Sequence, residues 1–222
     1  MMFAAALFDL DGLLLDTEAV FHAVDLEVLT AHGADPEEAR AAVDAMVGQD
    51  ETACRAIRES RFPTLDFDAV NADCRARIDA IFAKGIPVCR DVIRLLDALD
   101  AHGIPKAVAT NSSRAQGWRK LGLGGLEPRF DVLIGYDMVA AAKPAPDIFV
   151  AAAEALGQSP AQCIAFEDSD TGALAARRAG CTVVQVPNLQ STPSAHADFA
   201  AETVWEGALA AGLNLDRAPV IR

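Results

Sequence analysis

Carboxylates, hydroxyls and a lysine recur in this 222-residue chain where apolar runs end. Asp9 and Asp11 close the run FAAALF and are followed at once by Gly12. Thr110, Asn111 and Ser112 close IPKAVA, Glu167 and Asp168 close CIAF, and Lys143 stands before Pro144 in the loop after FDVLIG. Four ionised carboxylates repel one another and are costly to bury. A hard divalent cation that prefers oxygen, Mg2+ first, is the natural neutraliser. A cation, a lysine and hydroxyl or amide donors around a nucleophilic carboxylate supply what phosphoryl transfer requires, namely charge neutralisation and in-line positioning. The i, i+2 spacing of Asp9 and Asp11 points both carboxyls to one side of an extended backbone, where like charges crowd one another.

These groups converge only if the apolar runs are parallel strands with their ends on one edge. Residues 3–8 carry Phe3, Leu7 and Phe8 among alanines with no polar alternation, as in a strand covered on both faces. Further strands are predicted at 104–110, 130–135, 163–168 and 182–186. Between them lie helical stripes: Val92, Leu95, Leu96 and Leu99, then a helix near 115–121, then Phe149, Ala152, Ala153 and Leu156 after Pro146, then 173–179 closed by Gly180. The rhythm predicts the α/β class, a doubly wound Rossmann-like parallel sheet with its ligand site at the carboxyl ends of the strands. Residues 16–88 break that rhythm. Phe21, Val24, Val28 and Ala31 fall at helical spacing, and further helices are predicted after Pro36, at 51–61 and at 68–83. An all-helical cap domain, 16–88, inserted into a core of 1–15 and 89–222 would emerge over the site as a lid. From 187 to about 202 the chain reads as a polar loop, with a short helix at 203–211.

Composition narrows the partners. A hydrophobic fraction of 52% is enough for a proper core, and a net charge of −13 argues against nucleic acid and anionic membrane surfaces. No stretch approaches the roughly 20 apolar residues of a membrane span. No basic leader precedes Asp9. Cys54, Cys74, Cys89, Cys163 and Cys181 form no CxxC pair or spaced framework, so thiols in a reducing compartment are expected. The expectation is a cytoplasmic monomer acting on a small phosphorylated metabolite.

FDLDGLLLDTE, the Thr110-Asn111-Ser112 turn, Lys143-Pro144 and Glu167-Asp168-Ser169 with Gly172 resemble, in order and spacing, the haloacid dehalogenase superfamily. Nearly the whole chain looks like the β-phosphoglucomutase-like phosphatases, which carry a helical cap after the first strand. The resemblance implies that Asp9 is the nucleophile forming an aspartyl-phosphate and that Asp11 is the acid/base. It implies Mg2+ held by the Asp9 carboxylate, the Asp11 backbone carbonyl and Asp168, with Glu167 as a ligand or a supporting acid. Thr110, Asn111 and Ser112 would hold phosphate oxygens, Lys143 would balance charge, and Asp16 and Thr17 would hinge the cap. The expected reaction is Mg2+-dependent hydrolysis of a sugar phosphate or similar metabolite.

Two other readings stay open. A sugar phosphomutase of the same family would place a histidine where Phe21 stands, with His22 one position on, and cationic residues around the cap glycine Gly48, where Val47 and Glu51 stand. Arg55 or Arg58 could substitute for them. A phospho-accepting receiver module also combines acids, a hydroxyl and a lysine, but lacks a helical insert and does not carry its phosphorylated aspartate on the first strand. Thr110 can also be read as the cap of the following helix.

Overall fold

The computed structural model describes residues 3–46, 51–187, 193–213 and 215. Strand β1 (Ala5–Phe8) is followed by helices α1 (Thr17–Ala31), α2 (Pro36–Met46), α3 (Glu51–Arg61) and α4 (Phe67–Phe82). Then come α5 (Val92–Ala101), β2 (Lys106–Ala109), α6 (Arg114–Leu123), β3 (Val132–Ile134) and α7 (Asp147–Ala155). The chain continues through β4 (Cys163–Glu167), α8 (Asp170–Ala179), β5 (Thr182–Gln185), β6 (Phe199–Ala200) and α9 (Val204–Ala210). The strands form one sheet in the order β3-β2-β1-β4-β5-β6, and every pairing is parallel.

Alternate residues of each strand feed opposite layers, as the period of two demands. Ala6, Phe8, Val108, Ile164, Phe166 and Val184 pack with Leu95, Leu96 and Leu99 of α5, Leu121 of α6 and Trp205 of α9. Ala5, Leu7, Ala107, Ala165 and Val183 pack on the other side with Ile148 and Phe149 of α7 and Ala173 and Ala176 of α8. The sheet is therefore covered on both faces, which explains why its strands read as unbroken apolar runs. Phe8 stacks on Phe166 at 4.9 Å between ring centroids, and Phe130 meets Phe8 edge-on at 6.0 Å. A buried phenylalanine contributes roughly 1.5–3 kcal/mol. This stack locks together the two strands that end in acids.

Helices α1 to α4 have an apolar cluster of their own, built from Val24, Val28, Leu29, Ala39, Val43 and Val70 among others. The segments that lead into and out of this insert run side by side. The Asp16 N–H donates to the Pro87 carbonyl (2.9 Å) and the Cys89 N–H to the Leu14 carbonyl (3.0 Å).

Two sequence expectations are corrected. The stretch 187–202 is not all loop, because Phe199 and Ala200 pair with Val184 and Gln185. A two-residue strand owes its place to the open edge of β5 and carries no pattern of its own. On α1 the buried position is Leu29, not Ala31, which is exposed. The helix packs against both α2 and α4, so its buried face is wider than one stripe. Among the described residues, no helix is long and apolar enough to cross a membrane.

Candidate active site

The strand order reverses around β1, which lies between β2 and β4. Open α/β sheets bind ligands in the crevice at the carboxyl ends of the strands beside such a reversal. Register brings those ends level. Phe8 pairs with both Val108 and Phe166, so Asp9 and Glu167, one residue on, and Thr110, two on, emerge along one edge. The Asp9 N–H extends the ladder to the Phe166 carbonyl (3.0 Å), and the Thr110 N–H donates to the Ile134 carbonyl (3.0 Å).

Asp9, Glu167 and Asp168 each offer a carboxylate oxygen, all within 4.8 Å of one another. Lys143 reaches in from the loop after β3 and is no solvated lysine: its side chain is 4% exposed. Its Nζ donates to Asp9 Oδ1 and to Glu167 Oε1, both at 2.5 Å. The other oxygen of Glu167 accepts from the Ser169 hydroxyl (3.2 Å), and that hydroxyl oxygen caps α8 by accepting from the Gly172 N–H (3.1 Å). Two glycines make room for these acids. A Cβ on Gly172 would lie 1.9 Å from Glu167 Oε1, and one on Gly12, whose φ is +81°, would lie 2.2 Å from Asp168 Oδ2. Asn111 spends its side chain on the Lys143 backbone, accepting from that N–H (3.0 Å) and donating to that carbonyl (3.4 Å), so it sets the lysine loop. Thr110 is buried, and its Oγ1 accepts from the Ser112 N–H (3.0 Å). It is not the cap of α6: Ser113 is, in a capping box with Gln116.

Three carboxylates face one ammonium in this cluster, and each offers an oxygen as ligand atom. A hard divalent cation fits that set. The electrostatics carry the same message. Burial pushes the Asp9 carboxyl up to about 7, with Glu167 adding to the rise and Lys143 opposing it. Burial also raises Asp168 well above the usual carboxylate range, helped by the charges of Asp9 and Glu167. Burial works against the Lys143 charge, but its two carboxylate partners outweigh that and hold its pKa above the ordinary lysine value.

The sign of the linkage follows. Between the unfolded value of 3.8 and about 7, the folded chain keeps a proton on Asp9 that the unfolded chain has lost. The Asp9 contribution to stability is therefore fully present below that window and is lost as pH rises through it. In chelator, Asp9→Asn and the wild type should melt together only below about pH 4, where Asp9 is protonated folded and unfolded. By about pH 8 the variant should melt higher by roughly 10 °C, at a few degrees per kcal/mol. Thermal scans at the two pH values check this, and a wild type at least as stable as the variant at the higher pH would contradict it.

Asp11 is turned out of the acid cluster. Its Oδ1 accepts from the Thr17 hydroxyl (2.9 Å), its Oδ2 from the Ser112 hydroxyl (2.9 Å), and both oxygens accept from Lys120 Nζ at 2.7 Å. Crowding by like charges thus falls on Asp9 and Asp168, while Asp11 has a cation of its own. Sequence reasoning missed Lys120, while Thr17, expected only at the cap hinge, also reaches Asp11. The available signal was helical spacing, since Lys120 lies seven residues after the cap Ser113 and three after the buried Gly117, on the side of α6 that faces the strand ends.

The chain is 34% identical over 193 residues to the bifunctional riboflavin kinase/FMN phosphatase of Arabidopsis thaliana, covering 84% of this chain and 49% of that protein. It thus spans about half the length of that relative. It is 32% identical over 190 residues to fructose-1-phosphate phosphatase YqaB of Escherichia coli (strain K12), covering 83% of this chain and 96% of the relative. The fold superposes on a HAD family hydrolase from Deinococcus radiodurans R1, solved with bound phosphate and sodium, with a TM-score of 0.79 and 27% identity over 98% of this chain and 99% of that one. By these relatives the molecule is a phosphoric monoester hydrolase on a doubly wound α/β sheet. More particularly, residues 3–180 match the haloacid dehalogenase-like hydrolase family, and the chain belongs to it.

Proposed function

We propose that the chain is an Mg2+-dependent phosphatase that hydrolyses a small phosphorylated metabolite, a sugar phosphate first, through an aspartyl-phosphate on Asp9. The observation that carries this is the buried centre in which Lys143 bridges Asp9 and Glu167 at 2.5 Å with Asp168 beside them. In the first step an Asp9 oxygen attacks phosphorus while Asp11 gives its proton to the departing alcohol oxygen. In the second, Asp11 takes a proton from water, the water oxygen attacks phosphorus, and the acyl-phosphate bond breaks to release phosphate and restore Asp9. Lys143 balances charge on Asp9 and the transferring group. Thr110 and the backbone at Asn111 supply donors for phosphate oxygens, whereas the Ser112 hydroxyl and N–H are spent on Asp11 and Thr110. When bound by the Asp9 and Asp168 carboxylates and the Asp11 carbonyl, Mg2+ would neutralise charge on the phosphoryl oxygens.

The insert 16–88 is proposed to act as the cap, swinging on the paired segments near Asp16 and Cys89. The stated activities of the relatives on FMN and fructose 1-phosphate support a small phosphomonoester as substrate. The thiols of Cys74, Cys89, Cys163 and Cys181 support a reducing compartment, and a cytoplasmic monomer is the simplest setting. Water is favoured over a second sugar phosphate as acceptor because Val47 and Glu51 stand where a mutase would carry cations. Arg55 is exposed and bonded to Glu59 (2.6 Å), while Arg58 lies against Asp25 (3.8 Å). Val47 and Gly48 lie outside the described residues, as does the side chain of Glu51. Family membership removes the receiver reading.

The test is a panel of sugar phosphates, polyol phosphates and FMN, assayed with Mg2+ and with chelator, following both free phosphate and isomerised sugar phosphate. Phosphate release that falls to background in chelator, with no isomer formed, is expected. Isomerisation outpacing phosphate release, or turnover indifferent to chelator, would overturn the proposal.

A further inference from the structure

We infer that Lys120 is a positioning residue for proton transfer: it fixes the direction of the Asp11 carboxyl, which stands apart from the buried acids. The inference rests on the acid/base role proposed above for Asp11.

Three parts of the chain converge on that one carboxylate. Thr17 comes from the start of the helical insert, Ser112 from the loop after β2, and Lys120 from the second turn of α6. The hydroxyls take one oxygen each, whereas Lys120 Nζ holds both at 2.7 Å and also donates to Ser112 Oγ at 3.0 Å. A carboxylate gripped at both oxygens cannot rotate about its Cβ–Cγ bond without losing a charge-assisted hydrogen bond. The Lys120 and Asp11 side chains are 17% and 21% exposed, so the pair is sheltered and is better than a surface ion pair at holding a geometry.

The delivery of Lys120 is built into the packing. Gly117 lets α6 lie close against β3, since a Cβ there would come within 2.7 Å of Leu133 Cδ1, and Lys120 follows one turn later. Phe21 of the insert places its ring 5.8 Å from the ammonium, so the contact lies where α6 meets the insert. Each of the two acids also has a separate counter-charge. Lys143 is committed to Asp9 and Glu167, which leaves Lys120 to keep Asp11 apart from that centre.

The effect is read from leaving groups. A p-nitrophenolate departs without a proton, whereas a sugar alkoxide needs one, and kcat/KM covers the steps up to departure. The variants Lys120→Met, Asp11→Asn and the double variant are assayed on p-nitrophenyl phosphate and on fructose 1-phosphate, or on glucose 6-phosphate if that is turned over faster. Lys120→Met should lose about 10- to 100-fold more kcat/KM on the sugar phosphate than on the aryl phosphate, the scale of a misplaced catalytic group. Asp11→Asn should discriminate at least as strongly, and adding Lys120→Met to it should shift the ratio little further, as for residues that act as one unit. If Asp11→Asn discriminates but Lys120→Met loses equally on both substrates, or loses nothing, the positioning role fails alone. If Asp11→Asn does not discriminate, the acid/base role fails and the inference goes with it.

Discussion

Asp9→Asn should lower kcat for phosphate release by on the order of 10^4-fold or more, the scale seen when a covalent nucleophile is removed. The substitution is isosteric and leaves its neighbours in place. The backbone N–H of residue 9 keeps its bond to Phe166, and Lys143 keeps Glu167 at 2.5 Å. The loss is therefore chemical, because a carboxamide cannot form the acyl-phosphate. Stability should move the other way, since removing one of three crowded carboxylates relieves the repulsion and burial that push Asp9 up to about 7. A site that is costly to the fold and necessary to the chemistry is the usual pattern of a stability–activity trade-off. A variant that keeps more than about one hundredth of the wild-type rate would exclude Asp9 as nucleophile.

Lys143→Met should have the largest effect on stability. The ammonium is the bridge between two buried carboxylates, and its side chain is 4% exposed. Removing one member of a buried charge set leaves the others uncompensated and costs about 3–5 kcal/mol. Methionine fills the same volume, so the loss is electrostatic rather than a cavity effect. Measured by denaturant unfolding in chelator at neutral pH, the variant should lose that amount, and Mg2+ should restore more stability to it than it adds to the wild type. Turnover should fall as well, by roughly 10^2–10^3-fold, as for other preorganised charges at a reacting group. An unchanged unfolding free energy would mean that Lys143 is not the charge that holds the acids together.

Much of the site was legible in the sequence because its groups stand where apolar strands stop. Asp9, Thr110 and Glu167 each end a run whose length and purity give away the strand, and parallel pairing brings the ends together. Lys143 could be placed only by its motif, since nothing in a loop of small residues says that a lysine turns inward to 4% exposure. The Asn111 side chain holds the Lys143 backbone, a long-range contact that local pattern does not encode. Lys120 was missed for a related reason. A lysine on an amphipathic helix is ordinarily a solvated residue, and only the tight seat of Gly117 on Leu133 carries this one to Asp11. The short β6 strand was invisible because its hydrogen bonds are dictated by its neighbour, not by its own two residues.

The covalent step on Asp9 is the central claim, and acid quenching during turnover with Mg2+ and the best sugar phosphate of the panel tests it most directly. Peptide mass spectrometry of the quenched protein should find the mass of one HPO3 on the peptide bearing Asp9 in the wild type and on no peptide of Asp9→Asn. The same label on any other residue, or turnover of Asp9→Asn at the wild-type rate, would contradict the account.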